Sequence, residues 1–142
     1  MKNKKIAARI KARAADAVAF AGRIRGEYLG MDLSPKRTSG GLGYVVHERG
    51  DGAPFKRGQT VEVLYVGLLA STGEVFDEAF SDGRPIRFRL GTGEVIGGWD
   101  IGIGLLSGGD KATLFIPPAL GYGSEGVEGI PGGSELVFYV EV

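Results

Sequence analysis

Cysteine is absent from the 142 residues, and histidine occurs once, as His47. The first absence excludes a disulfide scaffold, a thiolate zinc site, an iron–sulfur cluster and a cysteine nucleophile. The second leaves little room for a histidine-rich metal site or a Ser/His/Asp triad. No run approaches the roughly 18 apolar residues a membrane-spanning helix requires, and the amino terminus lacks the compact apolar core of a secretory signal. A soluble protein of the reducing cytoplasm is the expectation. Glycine is scarce at one end only: Gly22, Gly26 and Gly30 precede residue 40, and the other 23 of 26 lie from residue 40 onward. Acidic charge is scarce there too, since residues 1–49 hold 11 Lys+Arg against 4 Asp+Glu, while residues 50–142 hold 6 against 13. A basic arm joined to an acidic body underlies the net charge of zero.

What is present fits one domain with a short appendage. From Lys4 to Tyr28 the chain is alanine-rich, and Ile6, Ile10, Ala14, Val18, Ala21, Ile24 and Tyr28 recur at helical spacing with Arg and Lys between them, predicting an amphipathic helix. The three early glycines share one helical face, so the last turns are either weak, the favoured reading, or packed closely against something. Ser34-Pro35 and Thr38-Ser39-Gly40-Gly41 read as linker. Beyond them the period becomes two, in runs around Tyr44–Val46, Val61–Val66, Ile86–Leu90, Lys111–Ile116 and Glu135–Val142, which predicts strands with one core face. Turn signals at Ser71-Thr72-Gly73 and Ser81-Asp82-Gly83 leave no room for crossover helices between most pairs, so the sheet is expected to be mostly antiparallel. Between Glu94 and Leu106 the apolar Ile96, Trp99, Ile103 and Leu106 fall on a helical face, predicting a short helix that turns Trp99 toward the sheet, against the propensity of its glycines.

Nucleotide-binding motifs fail on inspection. Gly91, Gly93 and Gly97 have the last glycine one place late for a dinucleotide fingerprint, and Gly104–Lys111 lacks the residues of a phosphate loop. His47 reads as a surface or edge histidine without catalytic duty. The pairs Asp77/Glu78 and Asp51/Glu62 read as solvated charge rather than acid/base groups. The remaining signal is aromatic: 11 of the 13 aromatic residues follow residue 40, several beside a glycine or carboxylate, as in Phe76-Asp77, Trp99-Asp100 and Tyr122-Gly123. From pattern alone they fill a β core or line a site, and nothing in the pattern decides between the two.

Seven ordered motifs decide it: Ser39–Tyr44, Gly58–Gly67, Gly73–Asp77, Pro85–Gly91, Glu94–Asp100, Ile116–Gly123 and Leu136–Phe138. With them, residues 39–142 resemble the FKBP family of peptidyl-prolyl cis/trans isomerases, the macrolide-binding immunophilins. The resemblance implies an α+β fold, an antiparallel half-barrel sheet of about five strands wrapped around one short helix, here preceded by the N-terminal amphipathic helix. It divides the chain into a basic helical extension with linker, 1–38, and an isomerase domain, 39–142. It implies a shallow apolar pocket for a prolyl residue, with Trp99 as floor, Tyr65, Phe76, Val95, Ile96, Ile130 and Phe138 as walls, and Phe88 matching as well. The implied polar contacts are Asp77, the Tyr122 hydroxyl and the Ile96 N–H, and no cofactor or metal. Expected partners are proline-containing polypeptides and macrolide inhibitors.

The chemistry suits those residue types. Rotation about an Xaa-Pro bond faces a barrier of about 18–20 kcal/mol and changes no covalent bond, so no nucleophile is required. The twisted transition state loses the charge-separated resonance form, which an apolar, water-excluding site favours. Donors on one side of the bond hold the chain in register, the part assigned to Tyr122 and Ile96, with Asp77 orienting its surroundings rather than acting as a base. The sequence departs from the family pattern at Ile86, where well-known members carry an aromatic, and at Val127-Glu128 and Ile130-Pro-Gly-Gly133. The Gly123–Gly133 loop is therefore expected to be mobile, which bears on macrolide affinity. The alternative function is a non-catalytic proline-peptide binding module tethered by the basic helix. That helix, with Lys2, Lys4, Lys5, Arg9, Lys11 and Arg13 ahead of the first acid, Asp16, reads first as packing on the body or a second copy, next as attaching to RNA or an anionic membrane, and last as a targeting segment. Some members of the family dimerise through such extensions, but no motif here matches theirs.

Overall fold

In the computed structural model, which describes residues 2–142 with side chains from Lys4 onward, the alanine-rich start forms one helix, α1 (Lys2–Leu29). Lys2, counted in the basic arm, has its side chain outside the described residues. The strands follow as β1 (Lys36–Arg37), β2 (Gly43–Glu48), β3 (Thr60–Leu69), β4 (Val75–Glu78), β5 (Ile86–Arg89), β6 (Lys111–Ile116) and β7 (Leu136–Glu141), with helix α2 (Gly97–Ile103) between β5 and β6. All pairings are antiparallel, in the order β1-β2-β6-β7-β3-β4, with β5 joined to the first half of β3. The expected linker thus contributes a two-residue edge strand, paired as Lys36 with Tyr44 and Arg37 with Gly43.

Period-two alternation sends Tyr65, Leu114, Ile116, Leu136, Phe138 and Val140 to one side of the sheet, where they bury against Trp99, Ile103 and Leu106. Strands with a single core face form only in part, in β5 and the first half of β3, where burial alternates. Val66, Leu68, Phe115, Val137 and Tyr139, on the other side, are also buried, covered by α1 through Ala14, Ala17, Ala21 and Ile24. Small side chains on that stripe let the helix lie close to the pleated surface, so β6 and β7 are buried on both faces. Tyr28 stacks on Phe115 at 4.0 Å between centroids and donates its hydroxyl to Glu135, 2.7 Å away. Arg13 reaches both carboxylate oxygens of Glu141 at 2.7 Å, and Arg25 Nε donates to the Ala70 carbonyl at 2.7 Å. A methyl group at Gly22 or Gly26 would meet nothing within 4 Å, so these glycines serve no close approach.

The short helix forms despite its glycines because two of them face the sheet. A Cβ at Gly98 would lie 2.6 Å from Ile116 Cδ1, and one at Gly102 would lie 2.8 Å from Leu114 Cδ1. Only glycine lets α2 sit this near β6. The helix is shorter than its apolar pattern, which begins at Ile96 just before it and ends at Leu106 beyond it. At the far edge, fully buried Asp110 accepts from the N–H of Gly50 (2.8 Å) and of Ser107 (2.9 Å) and from Arg49 (3.1 Å), tying the β2–β3 and α2–β6 connections together. Burial pushes its pKa up, but these donors outweigh burial and hold the carboxyl below its ordinary range.

Candidate active site

The first turn of α2, the end of the β5–α2 connection and the concave face of β3 and β7 meet around one cleft of about 320 Å³. Its lining is Tyr65, Phe76, Asp77, Ile86, Glu94, Val95, Ile96, Trp99, Tyr122 and Phe138. The floor is an interlocked aromatic set. Trp99 meets Tyr65 edge-on at 5.0 Å and 80°, and Phe138 at 5.3 Å and 84°, while Phe76 meets Phe138 at 5.4 Å and 88°. Trp99 is only 4% exposed, yet it lines the cleft, so the neighbouring rings fix its indole from the sides without sealing the hollow. Its Nε1 is the one buried side-chain polar atom lacking a hydrogen-bond partner among the described residues.

Gly67 of β3 makes the wall possible. A Cβ there would come within 2.7 Å of both Phe76 and Phe138, so only a bare backbone allows the two rings to close over the strand. Asp100, in the first turn of α2, accepts from the N–H groups of Gly91 (2.8 Å) and Gly93 (3.0 Å), which fixes the connection carrying Glu94, Val95 and Ile96.

The polar groups divide into committed and uncommitted. Tyr65 donates its hydroxyl to Asp77 Oδ2 at 2.6 Å. Burial, followed by that carboxylate, raises the Tyr65 pKa and keeps the phenol a donor. The Tyr122 pKa is also raised, by burial and then by Asp77. Among the described residues, however, no protein group hydrogen-bonds to the Tyr122 hydroxyl, and the N–H of Ile96 makes no hydrogen bond either. Two donors without protein partners therefore belong to the lining of an otherwise aromatic and aliphatic hollow.

Of the residues expected at the site, Tyr65, Phe76, Asp77, Val95, Ile96, Trp99, Tyr122 and Phe138 meet at the cleft. Phe88 and Ile130 do not line it. Phe88 is buried behind the floor, 5.7 Å from the Trp99 ring, because it faces inward on β5 beneath the indole. Ile130 is buried as the anchor of the loop after Tyr122, which closes on itself through Val127 N–H to Ile130 O (3.1 Å) and Ile130 N–H to Val127 O (3.0 Å). That loop is further tied by Gly133 N–H to Gly123 O at 2.9 Å, so the segment expected to be mobile is cross-linked by its own backbone. Ile86 and Glu94 join the lining unforeseen. Glu94 stands two residues before Ile96 in the same connection, the one signal that marked it.

His47 lies away from the cleft, under α1. Its Nε2 is 2.7 Å from Thr113 Oγ1, and its ring meets Phe20 edge-on at 4.9 Å. It is part of the helix–sheet joint, half-buried rather than a free surface group. No helix among the described residues is long and apolar enough to cross a membrane.

Comparison with known proteins places this geometry. Residues 52–142 match the family model described as FKBP-type peptidyl-prolyl cis-trans isomerase. FK506-binding protein 2 of Emericella nidulans is 46% identical over 86 residues, 61% of this chain and 64% of that protein, so the match spans less than two-thirds of the relative's length. The crystal structure of AtFKBP13 superposes with a TM-score of 0.73 at 37% identity, covering 77% of this chain and 96% of that one. That of FkpA from Escherichia coli gives 0.72 at 41% identity, covering 94% of this chain and 61% of that one. With the motif order, the sheet, the aromatic cleft and these matches in agreement, the chain belongs to the FKBP-type peptidyl-prolyl cis-trans isomerase family.

Proposed function

We propose that the chain catalyses cis/trans isomerisation of Xaa-Pro bonds and so assists protein folding. The observation that carries this reading is the pairing of an aromatic hollow with two donors that have no protein partner, the Tyr122 hydroxyl and the Ile96 N–H. The prolyl ring rests on Trp99 between Tyr65, Phe76 and Phe138, while the donors hold a substrate carbonyl on the other side of the imide bond. Desolvation by the rings favours the twisted amide, whose charge separation is lost. Asp77, occupied by the Tyr65 hydroxyl, orients the wall and takes no proton from substrate. Two-dimensional exchange spectroscopy on a proline peptide tests this: cross-peaks between cis and trans signals are expected at catalytic protein concentrations. Binding without exchange would instead leave a proline-peptide binding module.

The same proposal includes competition by FK506-type macrolides at this cleft, residence in the cytoplasm and a division of the chain into an extension, 1–38, and an isomerase domain, 39–142. It also assigns the exposed start of α1 to anionic surfaces, RNA or membrane. Lys4, Lys5, Arg9 and Lys11 are exposed there and form no ion pair with a described residue. Binding to RNA or anionic vesicles is then expected to weaken steeply with added salt, and salt-independent binding overturns that assignment.

A further inference from the structure

We infer that the cleft selects prolyl segments carrying a lysine or arginine next to the Xaa-Pro pair and discriminates against acidic ones. This rests on the reading of the cleft as a prolyl site. Its lining holds two ionisable carboxylates, Asp77 and Glu94, and no cation. Both are exposed, and neither forms an ion pair with a described residue. Asp77 spends Oδ2 on the Tyr65 hydroxyl, and Glu94 spends Oε2 on the Arg89 N–H at 2.8 Å. The second oxygen of each has no hydrogen-bond partner among the described residues. The hollow itself is marked by Trp99, nine-tenths buried in its lining, and by two donors without protein partners, the Tyr122 hydroxyl and the Ile96 N–H.

The cations nearby are directed elsewhere. Arg87 and Arg89 alternate with inward-facing Phe88 on β5, and Arg87 pairs with Glu62 at 3.1 Å. Arg57 donates to the Gly91 carbonyl at 3.3 Å. Arg84, in the turn before β5, is exposed and outside the lining. After Leu90 the sequence has a single cation, Lys111, which pairs with Glu48 at 3.3 Å, whereas Glu125 and Glu128 lie in the loop that follows Tyr122. A substrate that seats its proline against the rings brings its neighbouring residues to this unneutralised rim. Both carboxylates are exposed to water, so their pull on a substrate cation is modest and is screened by salt.

A peptide series differing only in Lys, Gln or Glu beside a common Leu-Pro pair tests the inference, with both exchange rate and titrated affinity measured. At low salt the lysine peptide is expected to exceed the glutamate peptide by about three- to tenfold, with glutamine between. High salt and Glu94→Gln are each expected to narrow that ratio, and Glu94→Lys, which leaves one carboxylate and one cation in the lining, to abolish it. Equal or reversed preference in the unaltered protein overturns the inference, as does a lysine preference that survives both high salt and Glu94→Lys. Should no peptide exchange while the affinities keep the predicted order, the isomerase reading fails and the charge selectivity stands.

Discussion

Tyr122 separates the two kinds of work done by single side chains in the cleft, because removing its hydroxyl leaves the ring wall in place. One hydrogen bond to a substrate carbonyl is worth roughly 0.5–1.5 kcal/mol, so Tyr122→Phe is expected to lower kcat/KM about three- to tenfold with unchanged unfolding midpoint. Peptide exchange and urea denaturation measured side by side check both halves. At this scale the sequence was most readable where a ring or hydroxyl belongs to a motif, as with Trp99, Phe76 and Tyr122. It misled at Phe88 and Ile130, whose residue types suit a wall but whose backbone positions turn them behind it. It flagged Ile86 only as a departure from the family pattern and Glu94 only by its place in a motif; Ile86 reaches the cleft from the start of β5, and Glu94 from the β5–α2 connection that Asp100 pins.

Between α1 and the sheet, one histidine sets how firmly the two elements adhere in acid. Burial, then the charge of Arg23, depress the His47 pKa below 6.5, while Glu27 opposes them. The unfolded chain therefore binds the proton more readily, and stability falls as pH drops below about 6.5, levelling once the folded-state pKa is passed. His47→Gln, which can keep a bond to Thr113, is expected to remove that dependence, as measured by thermal melting between neutral and mildly acidic buffers. The helix itself was legible from its alanine and isoleucine spacing, and α2 from the spacing around Trp99. The destination of α1 was not legible, because an alanine stripe fits a sheet, a second copy or solvent equally well, and only the apolar residues facing it on β3, β6 and β7 choose among them. The edge strand β1 was hidden too, since two residues carry no period.

Taken whole, the molecule is layered, α1 on one face of the sheet and α2 with the cleft on the other. The extension is therefore a structural layer as much as an arm. Removing residues 1–33 is expected to expose Val66, Leu68, Phe115, Val137 and Tyr139 together, lowering the melting temperature and causing self-association visible by light scattering. A truncated chain that stays monomeric and equally stable would show that the helix contributes little to the sheet. The sequence by itself determined both helices, five of the seven strands, the antiparallel pairing and the aromatic set, because periodicity, turn residues and motif spacing are properties of adjacent positions. Only the tertiary structure decided which of those rings open onto a hollow, which donors are left without a protein partner and which face of the sheet the first helix covers. Each of these depends on groups brought together from distant parts of the chain, and packing rather than local preference selects that arrangement.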